Sequence, residues 1–285
     1  MPELPEVETM RRGIAHLAGR RIESVVFPRG PVRPLAITPA PAALRRRLAG
    51  RSIAAVQRYG KRLALALSAR GGQGDAWLVI EPRMTGLLLV AEPPSREHVR
   101  MVVDFGSGAG SRLVFWDRRG LGTIRLLDRR GLAAACGPTA LGTDGLLVTG
   151  EELRAALGDS RRAVKVALLD QRAVAGIGNI YAAEILHRAG IDPRSRCRRL
   201  SAAAWERIAV ASRAILADAV ACRGSTIGDR TYTGADGRAG SFQRRHRVYG
   251  REGLACMACG TAVVRFVQSQ RSTFFCPACQ PRPRG

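Results

Sequence analysis

Two Cys-x-x-Cys pairs, Cys256-Met-Ala-Cys259 and Cys276-Pro-Ala-Cys279, stand sixteen residues apart near the end of this chain, and no other feature restricts its fold as tightly. Two such knuckles can place four thiolates at the corners of a tetrahedron, the geometry zinc prefers. Four thiolates leave no open coordination position. The spacing therefore predicts one structural Zn2+ held by Cys256, Cys259, Cys276 and Cys279, the alternative being reduced or disulfide-paired cysteines. Between the knuckles, A-V-V-R-F-V-Q and S-T-F-F read as two short strands, with Q-S-Q-R at the tip of a hairpin pinned at its base by the metal. Arg271 projects from that tip, as either a solvated surface arginine or a rigidly mounted cation able to reach a phosphate. The cysteine count is seven, an odd number, and the pairing of four of them as two Cys-x-x-Cys units favours a metal in a reducing compartment over a disulfide framework. Cys136, Cys197 and Cys222 read as small buried hydrophobes.

The 285 residues, 46% of them hydrophobic, suffice for two domains with a core each. Lys and Arg number 46 against 23 Asp and Glu, a formal charge of +23, which points to a polyanionic partner, nucleic acid first. All but two of the cations are arginine, so codon bias is the competing explanation of the basic surface. No stretch approaches the run of about 20 apolar residues that crosses a bilayer, and no leader-like segment precedes the fold. The expectation is a cytoplasmic monomer without membrane contact.

Val7, Met10, Ile14 and Leu17 fall on one face of a helix that starts near Pro5, with Glu6 and Glu8 suited to its dipole. Eight short Val/Leu/Ile-rich runs follow up to about residue 127, separated by turn residues, and predict an antiparallel sandwich or barrel. Leu63, Leu65 and Leu67 alternate as in a half-buried strand. Beyond residue 137 four segments carry helical spacing. The expected organisation is α+β: a β-sandwich domain with a leading helix over residues 1–137, a linker over 138–149, a helical domain over 150–247, the cysteine module over 248–280 and a disordered tail over 281–285.

In V174-A-G-I-G-N-I-Y a tight glycine turn leads into a helix with Asn179 at its cap, and successive N–H groups at such a terminus can grip a phosphate. A helix precedes the turn and the third glycine is missing, so this is no dinucleotide fingerprint. Pro2 and Glu3 have no duty in the first helix. Removal of Met1 would expose a secondary amine that can attack an aldehyde-level sugar carbon and form an iminium directly. A terminal amine titrates near about 8 against about 10.4 for lysine, so far more of it is neutral at pH 7. Glu3 could then move protons on the sugar. Taken alone, an ordinary Met-Pro start is the simpler reading.

These motifs together resemble the bacterial formamidopyrimidine-DNA glycosylases, within the Fpg/Nei family. The resemblance rests on P-E-L-P-E-V-E, Gly60-Lys61, V-K-V-A-L-L-D-Q at 164–171, G-I-G-N-I-Y-A-A-E at 176–184, F-Q-R-R-H-R-V-Y-G-R at 242–251 and the cysteine module, and it spans nearly the whole chain. It implies a helix-two-turns-helix domain with a lid over the extruded base, a β-hairpin zinc finger, and an enzyme that flips oxidised purines from duplex DNA. Pro2 would attack C1′, Glu3 would manage protons, and β,δ-elimination would cut the strand. Glu6 would support the site. Lys61, Asn179 and Arg271 match phosphate-binding positions, and His98, Met84, Arg119 and Leu121 match other DNA-contacting ones. Lys165 is left aside as a surface helix residue. A Nei-like enzyme for oxidised pyrimidines and a non-catalytic damage-binding protein are the rivals. The chain departs from the family pattern at Glu81, where a histidine is usual, at Gly120, where an arginine is usual, and at Leu121, where a wedge phenylalanine is usual. Either Arg83 and Arg118 offset Glu81 or the local path of the chain differs from the family's. In the lid, Thr226 and Asp229 keep the pattern.

Overall fold

The computed structural model describes residues 2–28, 33–69, 74–108, 111–228 and 231–282. Asp229 and the last three tail residues, 283–285, lie outside them, as does Met1. The described residues form two compact units, 2–137 with 222–241, and 138–221 with 242–282. The sequence reading assigns 222–241 to the helical domain, whereas it packs with the first unit. The cause is local: Tyr232 and Ala235 join the first unit's core, and the carbonyl of Ala235 accepts from Val90 and Ala91 N–H at 2.9 and 3.2 Å.

In the first unit, α1 (Leu4–Gly13) buries Val7 and Met10, and the 3-10 turn that follows it (Ala15–Leu17) carries the same face on, so that Val7, Met10, Ile14 and Leu17 are all at 0% exposure. Each such side chain contributes roughly 1.5–3 kcal/mol of burial. Eight strands coincide with the eight apolar runs: β1 (Ser24–Val26), β3 (Ile53–Tyr59), β4 (Arg62–Leu67), β5 (Ala76–Glu81), β6 (Gly86–Leu89), β7 (Val99–Asp104), β8 (Arg112–Asp117) and β9 (Thr123–Leu127). The sequence reading misses β2 (Ala36–Thr38), α2 (Pro41–Leu48) and α3 (Arg129–Cys136), which are too short to show a period. The strands make two sheets, β1-β7-β8-β6 and β2-β9-β5-β4-β3. One pairing is not antiparallel: β2 runs parallel to β9. β4 lies inside its sheet between β5 and β3, with Leu63, Leu65 and Leu67 buried as their alternation predicts and Ala64 buried on the other face as well.

Glu8, on the other flank of α1, is clamped by Arg11, Arg12 and Arg58, each at 2.9 Å. Burial alone would push its carboxyl up, but the three guanidinium hydrogen bonds outweigh it and bring it from 4.5 down to about 2. A depressed carboxylate stabilises the fold fully above its unfolded value, and the contribution is lost as pH falls from 4.5 toward 2. Glu8→Gln is expected to cost about 2–3 kcal/mol at pH 7 and much less at pH 2, as read by urea denaturation at both values. An equal cost at both would remove the ion cluster as the cause.

The second unit contains β10 (Thr143–Asp144), α4 (Gly150–Leu157), α5 (Val164–Leu168), β11 (Val174–Ala175), α6 (Asn179–Ala189), α7 (Ala202–Ala221) and the hairpin β12 (Val264–Gln268) and β13 (Arg271–Phe275). A capping box at Thr149 and Glu152 starts α4, and a left-handed glycine, Gly190 at φ 69°, ends α6. Among the described residues no helix is long and apolar enough to cross a membrane.

Candidate active site and metal centre

Glu3 is the N-cap of α1, and Glu6, three residues on, turns back so that Oε2 accepts the Glu3 N–H at 2.9 Å. This is the duty that the helix pattern alone does not reveal: the acidic pair closes the helix start and fixes Pro2 just outside it. Both carboxylates are 1% exposed. The other oxygen of Glu6 accepts the Ser225 N–H at 2.7 Å, which ties the segment 222–241 to the same helix terminus. Gly224 must be glycine here, because at φ 79° an added Cβ would lie 2.6 Å from Glu6 Oε1. Tyr232 completes the tie, its hydroxyl donating to the carbonyls of Arg223 at 3.0 Å and Glu6 at 3.3 Å, while burial pushes its phenol well above the ordinary range.

Pro2 opens into a cavity of about 320 Å³ that Glu6, Met84, Arg118, Arg119, Ile227 and Tyr232 help to line. The volume lies at the lower end of small-molecule pockets, about 300–1,000 Å³. Met84 and Arg119 are brought together by a residue the sequence reading passes over. Fully buried Asp117 accepts from the Thr85 hydroxyl at 2.5 Å and from the N–H groups of Arg119 at 3.2 Å and Gly122 at 2.8 Å, pinning the turn beside Met84 to the loop after β8. The only sequence signal was its place at the head of D-R-R-G-L-G.

The loop explains one departure. Gly120 has φ 60°, and a Cβ there would lie 2.7 Å from the Arg33 carbonyl, so this path of the chain excludes an arginine. Glu81 is offset locally by Arg83 at 3.0 Å and Arg62 at 3.6 Å. Arg83 acts as expected, but Arg62 takes the second place and Arg118 faces the cavity instead. Leu121 is half-buried and is not among the cavity residues. His98 is also apart from the cavity, its Nδ1 2.9 Å from Ser95 Oγ and its ring edge-on to Trp116. Lys61 occupies the two-residue turn between β3 and β4, where Arg58 donates to the Gly60 carbonyl at 3.1 Å.

In the second unit Asn179 is the first residue of α6 and Gly178 its cap, one position from the expected arrangement. The short strand β11, not a helix, leads into the glycine turn, and Gln171 braces that turn from inside, accepting the Gly176 N–H and donating to the Ile177 carbonyl, both at 2.9 Å. Lys165 is no surface residue. It is 1% exposed, and its ammonium donates to Asn179 Oδ1 at 2.7 Å, Thr273 Oγ1 at 2.8 Å and the Ser272 carbonyl at 3.1 Å. Asn179 Nδ2 reaches the same Ser272 carbonyl at 3.1 Å. One buried cation therefore locks the α6 terminus to the strand that begins at exposed Arg271. Helical spacing conceals this, since lysine at that position equally suits a solvated face.

The four sulfurs of Cys256, Cys259, Cys276 and Cys279 all lie within 4.8 Å of one another, with 3.8 Å between Cys256 and Cys279 and 3.4 Å between Cys259 and Cys276. Tetrahedral zinc at about 2.3 Å from each sulfur requires edges of about 3.8 Å, so these residues fit one structural Zn2+. The hairpin turn above the metal carries Ser269 and Gln270 at φ 47° and 59°, both left-handed without being glycine, and it fixes Arg271 as the first residue of β13.

Family models match residues 1–124 (formamidopyrimidine-DNA glycosylase N-terminal domain), 141–231 (the H2TH domain of the same enzymes) and 253–282 (zinc finger found in FPG and IleRS). A formamidopyrimidine-DNA glycosylase from Chloroflexus aggregans is 42% identical over 290 residues, 98% of each chain. The crystal structure of MutM (Fpg) from Thermus thermophilus superposes with a TM-score of 0.83 at 38% identity, covering 99% of this chain and 100% of that one. A Lactococcus lactis Fpg bound to DNA containing an abasic site superposes at 0.84 with 29% identity, covering 98% and 100%. The chain belongs to the formamidopyrimidine-DNA glycosylase family.

Proposed function

We propose that the protein is a bifunctional glycosylase and abasic-site lyase that removes oxidised purines, 8-oxoguanine and formamidopyrimidines, from duplex DNA in the bacterial cytoplasm. The observation that carries this is the position of Pro2: it lines a cavity of base-accepting size, at a helix start whose two glutamates are buried. The lone pair of the Pro2 amine attacks C1′ as the bond from C1′ to the base breaks, and the proton shed by the amine nitrogen leaves with the base. Glu3 protonates the ring oxygen as the sugar opens, leaving a cationic iminium between Pro2 and C1′. The iminium acidifies C2′. Loss of that proton expels the 3′ phosphate, a second proton loss expels the 5′ phosphate, and water releases the amine. Glu6 holds Glu3 and the segment 222–241 in register, and that segment serves as the lid over the extruded base. Met84, Arg119 and Leu121 fill the gap left in the duplex. Leucine can wedge between bases but offers no ring for stacking.

Flipping costs a few kcal/mol, repaid by phosphate and pocket contacts. Lys61, Asn179 and Arg271 supply the phosphate contacts and His98 a further contact to DNA, and the formal charge of +23 supports the duplex as ligand. Arg271→Ala is expected to weaken binding equally across DNA sequences and to lower the slope of log K against log salt by about one unit, measured by fluorescence anisotropy. An unchanged slope removes Arg271 from the phosphate contacts.

The reading is tested by borohydride reduction of the protein with an 8-oxoguanine:C duplex. A covalent adduct at Pro2 is expected, and its absence from folded protein that still binds the duplex would leave only a damage-binding protein. Gly120 and Leu121 keep the Nei-like reading in play. Greater turnover on oxidised pyrimidines than on 8-oxoguanine, in matched duplexes, would establish it.

A further inference from the structure

We infer that His187 is a hydrogen-bond donor to the zinc-bound thiolate of Cys256, placed outside the coordination sphere and slowing loss of the metal. His187 lies in the last turn of α6, and its Nε2 is 3.5 Å from Cys256 Sγ, within reach for an N–H to sulfur bond. It is not one of the four residues whose ligand atoms cluster within 4.8 Å, so the coordination set is complete without it.

Four thiolates around Zn2+ leave a net charge of about −2, and such charge in a desolvated site needs donors aimed at the sulfurs. Cys256 is 3% exposed, so water is poorly placed to supply one. Cys276 receives a donor from within its own knuckle, the Cys279 N–H at 3.5 Å. The donor at Cys256 instead comes from a helix 69 residues earlier in the chain.

Neighbouring contacts hold the imidazole in place. One turn before it, Glu184 accepts the N–H groups of Arg247, Val248 and Tyr249 at 2.8–3.0 Å, fixing α6 against the segment that leads into the first knuckle. Arg247 Nη1 then reaches Met257 Sδ, next to Cys256, at 3.4 Å. The helix carrying Asn179 at its start thus supports the metal near its end. The inference rests on the bound zinc and not on the proposed excision chemistry.

The test compares zinc-loaded full-length protein with His187→Phe and His187→Gln, following transfer of zinc to a chromogenic chelator. His187→Phe is expected to release zinc about tenfold faster. His187→Gln, which retains a donor, is expected to stay within about twofold of the parent. Cobalt-substituted His187→Phe should also show a shifted thiolate-to-metal absorption band. Equal release by His187→Phe and the parent would overturn the inference, as would failure of His187→Gln to restore slow release. Should His187→Phe not fold, the unaltered protein loaded with ¹¹³Cd decides. Scalar coupling between ¹¹³Cd and the His187 Nε2–H supports the bond, and a ring nitrogen carrying no proton rules it out.

Discussion

Protein that retains Met1 ahead of Pro2 will bind lesion DNA and fail to cut it. An amide nitrogen has no available lone pair, so the covalent route closes while Glu3, Glu6 and the phosphate contacts remain. The expected loss in single-turnover strand cleavage is about a thousandfold or more, the scale on which removal of a covalent nucleophile acts. Borohydride will trap no adduct. Far-ultraviolet circular dichroism and gel shift on the same sample guard against misfolding. Cleavage at the parent rate by fully Met1-bearing protein, verified by mass spectrometry, would end the amine mechanism.

Lys165→Met is expected to weaken both the fold of the second unit and its hold on DNA. The change deletes one buried ammonium and strands three acceptors, on Asn179, Ser272 and Thr273. A buried group left without its charged donor costs about 1–3 kcal/mol, so a loss of about 3 kcal/mol is expected in the stability of the second unit. DNA affinity should fall by at least about tenfold, since Asn179 and the strand carrying Arg271 lose their common anchor. Lys165→Arg will not restore it: a planar fork cannot point three donors at acceptors arranged around a single nitrogen. Affinity within twofold of the parent in Lys165→Met, by anisotropy, would show that the α6 terminus and the hairpin keep their places without it.

Much of the architecture was legible because it follows local rules. Val/Leu/Ile-rich runs bounded by turn residues marked eight strands and the period of 3.6 marked the apolar face of the leading helix, since apolar side chains must be buried whatever they pack against. The metal centre was legible for a different reason: four ligands in two short loops fix their own geometry before the rest of the chain is placed. The family motifs likewise identified Pro2, Glu3, Lys61 and Arg271 as candidates.

What spacing could not convey were partners distant along the chain. Ser225 meets Glu6 across 219 residues, Lys165 meets Thr273 across 108, and His187 meets Cys256 across 69. In each case the residue type was ambiguous by itself, because a lysine, histidine or glutamate on a helix suits solvent as readily as a buried partner. Burial removes that ambiguity: once water is excluded, an unpaired polar group is too costly to keep, and only the tertiary fold supplies its counterpart. The sequence by itself therefore determined eight strands of the first unit, the leading helix, the thiolate cage and the family. The tertiary structure alone decided that segment 222–241 belongs with the first unit, that Asp117 shapes the loop beside the cavity, and that Lys165 is an internal anchor.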